Sequence, residues 1–333
     1  MNDGYHIYGM GAALVDTEIE VSDADLAALS IDKGVMTLVD EARQQALIEH
    51  FSDHLVASKR ASGGSACNSI IAASYFGAKN FYSCKVADDE NGQFYIDDLR
   101  DAGVDYHHTG NLEAGTTGKC LVMITDDAER TMNTFLGISE QLSDIEIHAD
   151  AVAKSQYVYI EGYQVSSESG KSAAIKLREL AESHGVKTSL SLSDPAMVQF
   201  FGDGLKEMIG GGVDLLFCNA DEAKAFTQTE SIEAAAEAIK QYTKTFAITL
   251  GAEGALVFDG ENTIKIDSHP VKAIDTNGAG DMFAGAFLYA ITHGHDFTTA
   301  GNLASLASAK LVTQFGPRLP AEQHDEIKQQ IIS

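Results

Sequence analysis

The 333-residue chain carries a net charge of −26, with 44% hydrophobic and 22% charged residues. That composition suits one large or two modest folded domains and excludes a disordered chain. A surface this acidic repels phosphate backbones, which argues against nucleic acid and anionic membrane as partners, so any anion site must be built locally from backbone N–H groups, a few basic side chains or a metal.

Cys67, Cys84, Cys120 and Cys218 form no C-x-x-C pair, which reads as reduced thiols in a cytoplasm. No segment has the apolar length of a membrane span, and the start MNDGYHIYGM lacks the basic and apolar regions of a secretory signal. In chain order, Tyr5–Tyr8 reads as a strand running into Gly9-Met10-Gly11. Residues 17–60 are polar and mixed, with weak strand signals at Thr17–Val21 and Val35–Val39 and a helix over Glu41–Ala57. After Ser62-Gly63-Gly64-Ser65 comes a helix-like run from Ala66 to Phe76, then a strand at Phe81–Val86 and a helix at Asn91–Asp101 ended by Gly103. Short alternating segments at Cys120–Thr125 and Thr131–Phe135 predict a small antiparallel sheet within 104–136.

From Tyr157 the rhythm becomes β-α-β-α. Strands are expected at Tyr157–Ile160, Val186–Leu192, Val213–Cys218, Thr245–Leu250 and Ala255–Phe258. Helices are expected at Glu168–His184 and over 221–228, 231–242, 279–293, 298–314 and 321–331. Such alternation implies an α/β fold, with a mostly parallel sheet covered by helices on both faces. The β-rich pieces near 17–39 and 104–136 break the rhythm and read as an excursion from the main domain.

The strongest chemical signal is Asp275-Thr276-Asn277-Gly278-Ala279-Gly280-Asp281, placed directly before a helical run. Small residues let the backbone N–H groups of 278–281 converge on one anion at the positive end of a helix. Asp281, in the first turn, would face a bound phosphate and accept a proton from an attacking hydroxyl. The plainer reading is a glycine-rich turn with an N-terminal helix acid. Gly63-Gly64 before a helix permits close ligand approach, and Asn68 one turn on offers a donor and an acceptor to a polyol; a tight turn explains the same residues. Asp16 reads as a carboxylate at the C-terminal end of a strand, able to bind two neighbouring hydroxyls, or as a solvated turn residue. Gly9-x-Gly11 lacks the third glycine of a dinucleotide fingerprint, since Leu14 stands there. Asn219 and Glu222 share one face of an opening helix and suit either Mg²⁺ waters or a capping box. Thr249-x-Gly251-x-x-Gly254 suits a nucleotide contact or a hairpin.

Together these strings resemble the ribokinase (PfkB) family of sugar and nucleoside kinases, in the family's order and over essentially the whole chain. The resemblance implies a three-layer α/β/α sandwich with a mainly parallel central sheet and a small β-sheet lid, here formed by roughly 15–40 and 104–137. It implies an ATP-dependent phosphotransferase that moves the γ-phosphate to a hydroxymethyl oxygen of a nucleoside or sugar, in the cytoplasm, as a monomer or homodimer. By resemblance Asp281 is the base, with Gly278, Ala279 and Gly280 as the anion hole. Asp16, Gly63, Gly64 and Asn68 bind the acceptor, and Arg130 contacts substrate or phosphate or is an exposed lid charge. Asn219, Glu222, Thr249, Gly251, Gly254 and Asn302 belong to the ATP side, with Glu222 reaching Mg²⁺ through water. Asp275 and the loop at Gly316 would hold a monovalent cation, K⁺, in members that use one. Within the family the chain is most similar to the adenosine kinases, with Tyr163 as the aromatic expected to stack on the base; the alternative acceptor is a sugar, as in fructokinases, ribokinases or ketogluconate kinases.

Overall fold

The computed structural model describes residues 4–52, 60–107, 110–127 and 129–332. The chain opens with β1 (Tyr5–Met10), β2 (Leu14–Glu20), α1 (Asp23–Ala28), β3 (Met36–Leu38), α2 (Glu41–His50) and β4 (Arg60–Gly63). Next come α3 (Ser65–Phe76), β5 (Asn80–Ser83), α4 (Glu90–Asp101), β6 (Val104–Asp105), β7 (Thr117–Ile124), β8 (Arg130–Gly137) and α5 (Ala149–Val152). The α/β rhythm then follows: β9 (Ser155–Glu161), α6 (Glu168–Ser183), β10 (Lys187–Ser191), α7 (Pro195–Ile209), β11 (Val213–Asn219), α8 (Ala220–Thr227) and α9 (Ile232–Ile239). It closes with β12 (Thr243–Thr249), β13 (Ala255–Phe258), β14 (Thr263–Ile266), α10 (Ala279–Thr292), α11 (Phe297–Leu311) and α12 (Ala321–Ile331).

The main sheet has the order β14-β13-β12-β11-β10-β9-β1-β5-β6. Its strands are parallel from β12 to β6, and β13 and β14 return antiparallel at one edge. Several parallel strands carry continuous apolar stretches, as at Val158-Tyr159-Ile160 and Phe246-Ala247-Ile248, because both faces are covered, while β10 and β5 bury polar side chains such as Thr188, Ser189 and Asn80. Helices α3, α10, α11 and α12 pack together on one side, and α6 to α9 on the other. From β1 the chain builds outward through β5 and β6, then crosses back to β9 and builds the other way. The order therefore reverses beside β1, where an open α/β sheet leaves a crevice at its strand ends.

A second sheet, in the order β3-β8-β7-β2-β4, forms the excursion. The antiparallel pairing expected of Cys120–Thr125 with Thr131–Phe135 is present as β7–β8, but the sheet as a whole is mixed: β2–β4 is also antiparallel, while β2 pairs parallel with β7 and β3 parallel with β8. Only β7 and β8 are joined by a short turn, so only there does local geometry dictate the direction. Val104–Asp105 does not join this sheet but extends the main one beside β5. Along β2 the side chains alternate. Leu14, Asp16 and Glu18 face the main domain, whereas Ile19 packs outward on Leu26, Leu47 and Phe51 from α1 and α2 and the turn after it.

Several elements differ from expectation. Asp16 sits inside β2, not at the end of a strand, and Gly63 ends the lid strand β4 rather than lying in a turn. The helix expected over Glu41–Ala57 ends at His50, and residues 53–57 lie outside the described residues, as do 108–109 and 128 of the lid span. Helix α7 was unread, although Asp194 caps it and Pro195 opens it; Gly202 and Gly204 weaken its pattern, and Phe201 breaks it with φ −128°.

Helices α3 and α10 touch backbone to side chain at Gly285, where a Cβ would overlap the Ser69 carbonyl oxygen. Alanine there gains about 1 kcal/mol of helix propensity. Overpacking against a rigid neighbouring helix costs about 1–3 kcal/mol and more where backbone must move. Gly285→Ala is therefore expected to lower the urea midpoint at unchanged slope, by about 2 kcal/mol. An unchanged midpoint would show that the two helices are free to separate.

Candidate active site

The crevice at the reversal is a cavity of about 310 Å³ between the lid and the C-terminal ends of the parallel strands. Glu161, Ser191, Asn219 and Thr249, the last residues of β9, β10, β11 and β12, all line it. From the lid come Leu14, Asp16, Met36, Cys120, Arg130 and Met132.

Asp281 lies at the floor, in the first turn of α10. Its Oδ1 accepts from the Ser65 hydroxyl at 2.6 Å and its Oδ2 from Asn68 Nδ2 at 3.0 Å. Burial pushes this carboxyl above the ordinary range, and the two donors with the Arg130 guanidinium pull it partly back. Gly278 caps α10, and the N–H groups of Gly278, Gly280 and Asp281 find no acceptor among the described residues. The helix terminus thus presents free donors beside a carboxylate.

Asp16 is only 6% exposed, and its Oδ1 has no hydrogen-bond partner among the described residues; the same holds for Oδ1 of Asn68, 4% exposed. Burial raises the Asp16 carboxyl well above its ordinary value, and Glu18 and Asp281 add repulsion against a partial opposition from Arg318. A Cβ at Gly63 would overlap that carboxylate, and Gly64, with φ 95°, passes so close to Ala12 that a side chain would overlap its carbonyl oxygen. The paired glycines are a steric requirement of the site.

The lid is clasped from behind. Arg318 donates to the Ser62 carbonyl oxygen, to Ser62 Oγ at 3.0 Å and to Asp98 Oδ2 at 2.9 Å, joining β4, α4 and the C-terminal loop. Arg130 hangs from the first position of β8 into the cavity, with no carboxylate at ion-pair distance among the described residues. It still favours ionisation of Asp194, Glu222 and Asp281 across the space. Tyr163 flanks the cavity from the turn after β9.

On the far side, Asn219 and Glu222 form a complete capping box at the start of α8. Glu222 N donates to Asn219 Oδ1 at 2.8 Å, and Asn219 N and Nδ2 donate to the Glu222 carboxylate at 3.0 and 2.7 Å. Both residues line the cavity. Thr249 lines it too, while Gly251 and Gly254 form the connection from β12 to the antiparallel β13, and neither they nor Asn302 in α11 belong to the lining. Asp275 is fully buried and accepts from Asn277 N at 2.8 Å and Gly316 N at 2.9 Å, so it pins the turn before α10 to the C-terminal loop.

Sequence reasoning missed Glu161. This fully buried carboxylate accepts from Ala12 N at 2.6 Å, Ala66 N at 2.9 Å and Gln164 Nε2 at 2.9 Å. It staples the turn after β1 to the start of α3. Its signal was an acid closing the apolar run Tyr157–Ile160, one residue beyond the strand as read. Ser65, between the paired glycines and the helix, was also unassigned.

A cleft that sets free helix-terminal N–H groups beside a buried acid, with unpartnered acceptors in its lining, suits a phosphotransferase for small hydroxylated molecules. The model for "pfkB family carbohydrate kinase" matches residues 39–324, and the chain belongs to that family of kinases for sugars and nucleosides. It is 28% identical to the adenosine kinase of Saccharomyces cerevisiae, covering 94% of this chain and 96% of that one. The adenosine kinase structure from Sinorhizobium meliloti matches with a TM-score of 0.92 and 32% identity, over 98% of this chain and 99% of the other. A probable sugar kinase from Rhizobium etli matches equally, with TM-score 0.92, 32% identity and 98% of both chains covered. Its kinase relatives imply the use of ATP. Among the described residues no helix is long and apolar enough to cross a membrane, and all four cysteines are free and buried.

Burial raises both Glu161 and Glu222 to about 7 from 4.5. A carboxyl raised in the folded state contributes stability that is complete below its ordinary value and is lost as pH rises through the folded one. Thermal stability is expected to fall between about pH 5 and 7.5, by on the order of a few kcal/mol for the pair. Glu222→Gln keeps a capping-box partner and should flatten that slope. A variant melting curve with the wild-type pH slope would remove Glu222 from the account.

Proposed function

We propose that the protein transfers the γ-phosphate of ATP to the primary hydroxyl of a nucleoside, with adenosine as the preferred acceptor. The observation that carries this reading is the pair of buried, unpartnered oxygens, Asp16 Oδ1 and Asn68 Oδ1, beside Asp281 in one cavity. An unpaired buried acceptor costs about 1–3 kcal/mol, and the vicinal hydroxyls of a ribose would relieve both. Backbone around Gly63 and Gly64 lets the sugar approach, and Tyr163 supplies an aromatic wall for the base. Adenosine kinases among the relatives support a nucleoside acceptor, and sugar kinases among them keep the sugar alternative open.

In this reading Asp281 accepts the proton of the attacking hydroxyl, and the N–H groups of Gly278, Gly280 and Asp281 stabilise charge on the transferring phosphoryl group, whereas that of Ala279 is held by the Thr276 carbonyl oxygen. Arg130 brings a positive charge from the lid, whose closure excludes water as a competing acceptor. Asn219, Glu222, Thr249, Gly251, Gly254 and Asn302 are assigned to the nucleotide side. The buried Glu222 carboxylate, facing the cavity, fits a water-mediated contact to Mg²⁺, which would neutralise phosphate charge when bound. A monovalent cation at Asp275 and Gly316 has less support, because Asp275 is fully buried outside the cavity lining and Gly316 turns an N–H donor toward it. The mechanism needs no step through that ion.

Asp281→Asn is expected to lower kcat at least about a hundredfold with little change in ATP affinity; a near-wild-type kcat would end the assignment. Phosphate transfer from ATP should be fast with adenosine and slow with fructose or ribose. Turnover of fructose with none of adenosine would establish the sugar-kinase alternative.

A further inference from the structure

We infer that Ser65 is a positioning residue for the base, its hydroxyl fixing one oxygen of the Asp281 carboxylate so that the remaining lone pairs face the acceptor. This rests on the reading of Asp281 as the base.

A serine at the start of a helix ordinarily turns its hydroxyl to the helix's own free N–H groups. Ser65 does not. The cap of α3 is Gly64, with no side-chain cap hydrogen bond, and the Ser65 hydroxyl crosses instead to α10. At 2.6 Å its contact with Asp281 Oδ1 has the length of a charge-assisted O–H···O⁻ bond. Asn68, one turn later, takes Oδ2 at 3.0 Å. Each carboxylate oxygen then has one donor, and an ionised carboxylate accepts about four. An incoming hydroxyl can bind without displacing either.

The division of labour follows from what else these residues do. Asn68 leaves its Oδ1 open to the cavity, whereas the Ser65 hydroxyl has no partner but the carboxylate among the described residues. The other groups that face Asp281 are Arg130 from β8, Asp16 from β2, and Tyr159, Glu161 and Tyr163 from β9 and the turn after it. Asp16 and Glu161 oppose a charge at 281, and Arg130 on β8 is the cation that favours it among the described residues. Ser65 and Asn68 are the main-domain groups that hydrogen-bond the ionised base. Removing one hydrogen bond to the charged form must raise the carboxyl's pKa.

The test is the pH profile of kcat/KM, which reports the free enzyme, measured with ATP and adenosine (or the accepted sugar) for wild type, Ser65→Ala, Ser65→Thr, Ser65→Cys and Asp281→Asn. Ser65→Ala is expected to move the acid limb up by about one pH unit and to lower plateau kcat roughly tenfold. Ser65→Thr should restore the wild-type limb. Ser65→Cys, a weaker donor, should fall between and carries the test alone if the alanine variant does not fold. An inactive Asp281→Asn beside an unmoved limb in the Ser65 variants overturns this inference and leaves the base in place. A rate loss in Ser65→Ala with an unshifted limb also overturns it, reducing Ser65 to a wall of the pocket. An active Asp281→Asn overturns the base itself.

Discussion

A proton acceptor inside a protein must be dry enough to be basic and wet enough, or well enough hydrogen-bonded, to stay ionised. Asp281 sits at that balance. Burial drives its carboxyl up, and two donors from α3 draw it back. Those donors arrive because α10 lies directly on α3, with Gly285 against the backbone of Ser69. The same first turn of α10 that carries the acid carries the free N–H groups. In the proposed mechanism, proton acceptor and anion hole therefore share one helix start.

The electrostatics of that arrangement are unusual for a site that must hold phosphate. Asp16, Glu161, Asp194, Glu222 and Asp281 surround or adjoin one cavity in a chain of net charge −26. Burial raises all five, so ionising them together in one cavity is opposed. What would attract an anion is local: the start of α10, Arg130 on β8 of the second sheet, and any cation the nucleotide brings.

Glu161 shows how the sheet supports this. It ends β9 at the point where strand order reverses, and from there it holds the turn after β1 and the start of α3 together. Ala12 and Ala66 flank the glycine pair and Asp16, so this carboxylate fixes the distance between the lid strand β2 and the helix that carries Asn68.

Much of this was readable from residue order. The parallel sheet followed from apolar runs alternating with helical periods, and the site strings stood out because small residues, a helix start and an acid occurred together. The second sheet showed as a break in rhythm, and its antiparallel β7–β8 pair was readable, but its parallel pairings were not. Pairing between β2 and β7 joins segments a hundred residues apart, and nothing local sets its sense. Short elements such as α1 and β14 carry too little pattern to exceed the surrounding polar background.

The sequence by itself determined the kinds of chemistry: an acid in a helix's first turn, glycines where a ligand must pass, an amide and a carboxylate able to hold hydroxyls. Only the tertiary structure decided which of them meet. Ser65 and Asp281 are bonded across 216 positions of chain, and Glu161 reaches back 149 to Ala12. Contacts of that range depend on how helices and sheets pack, and periodicity, which is local, carries no record of them.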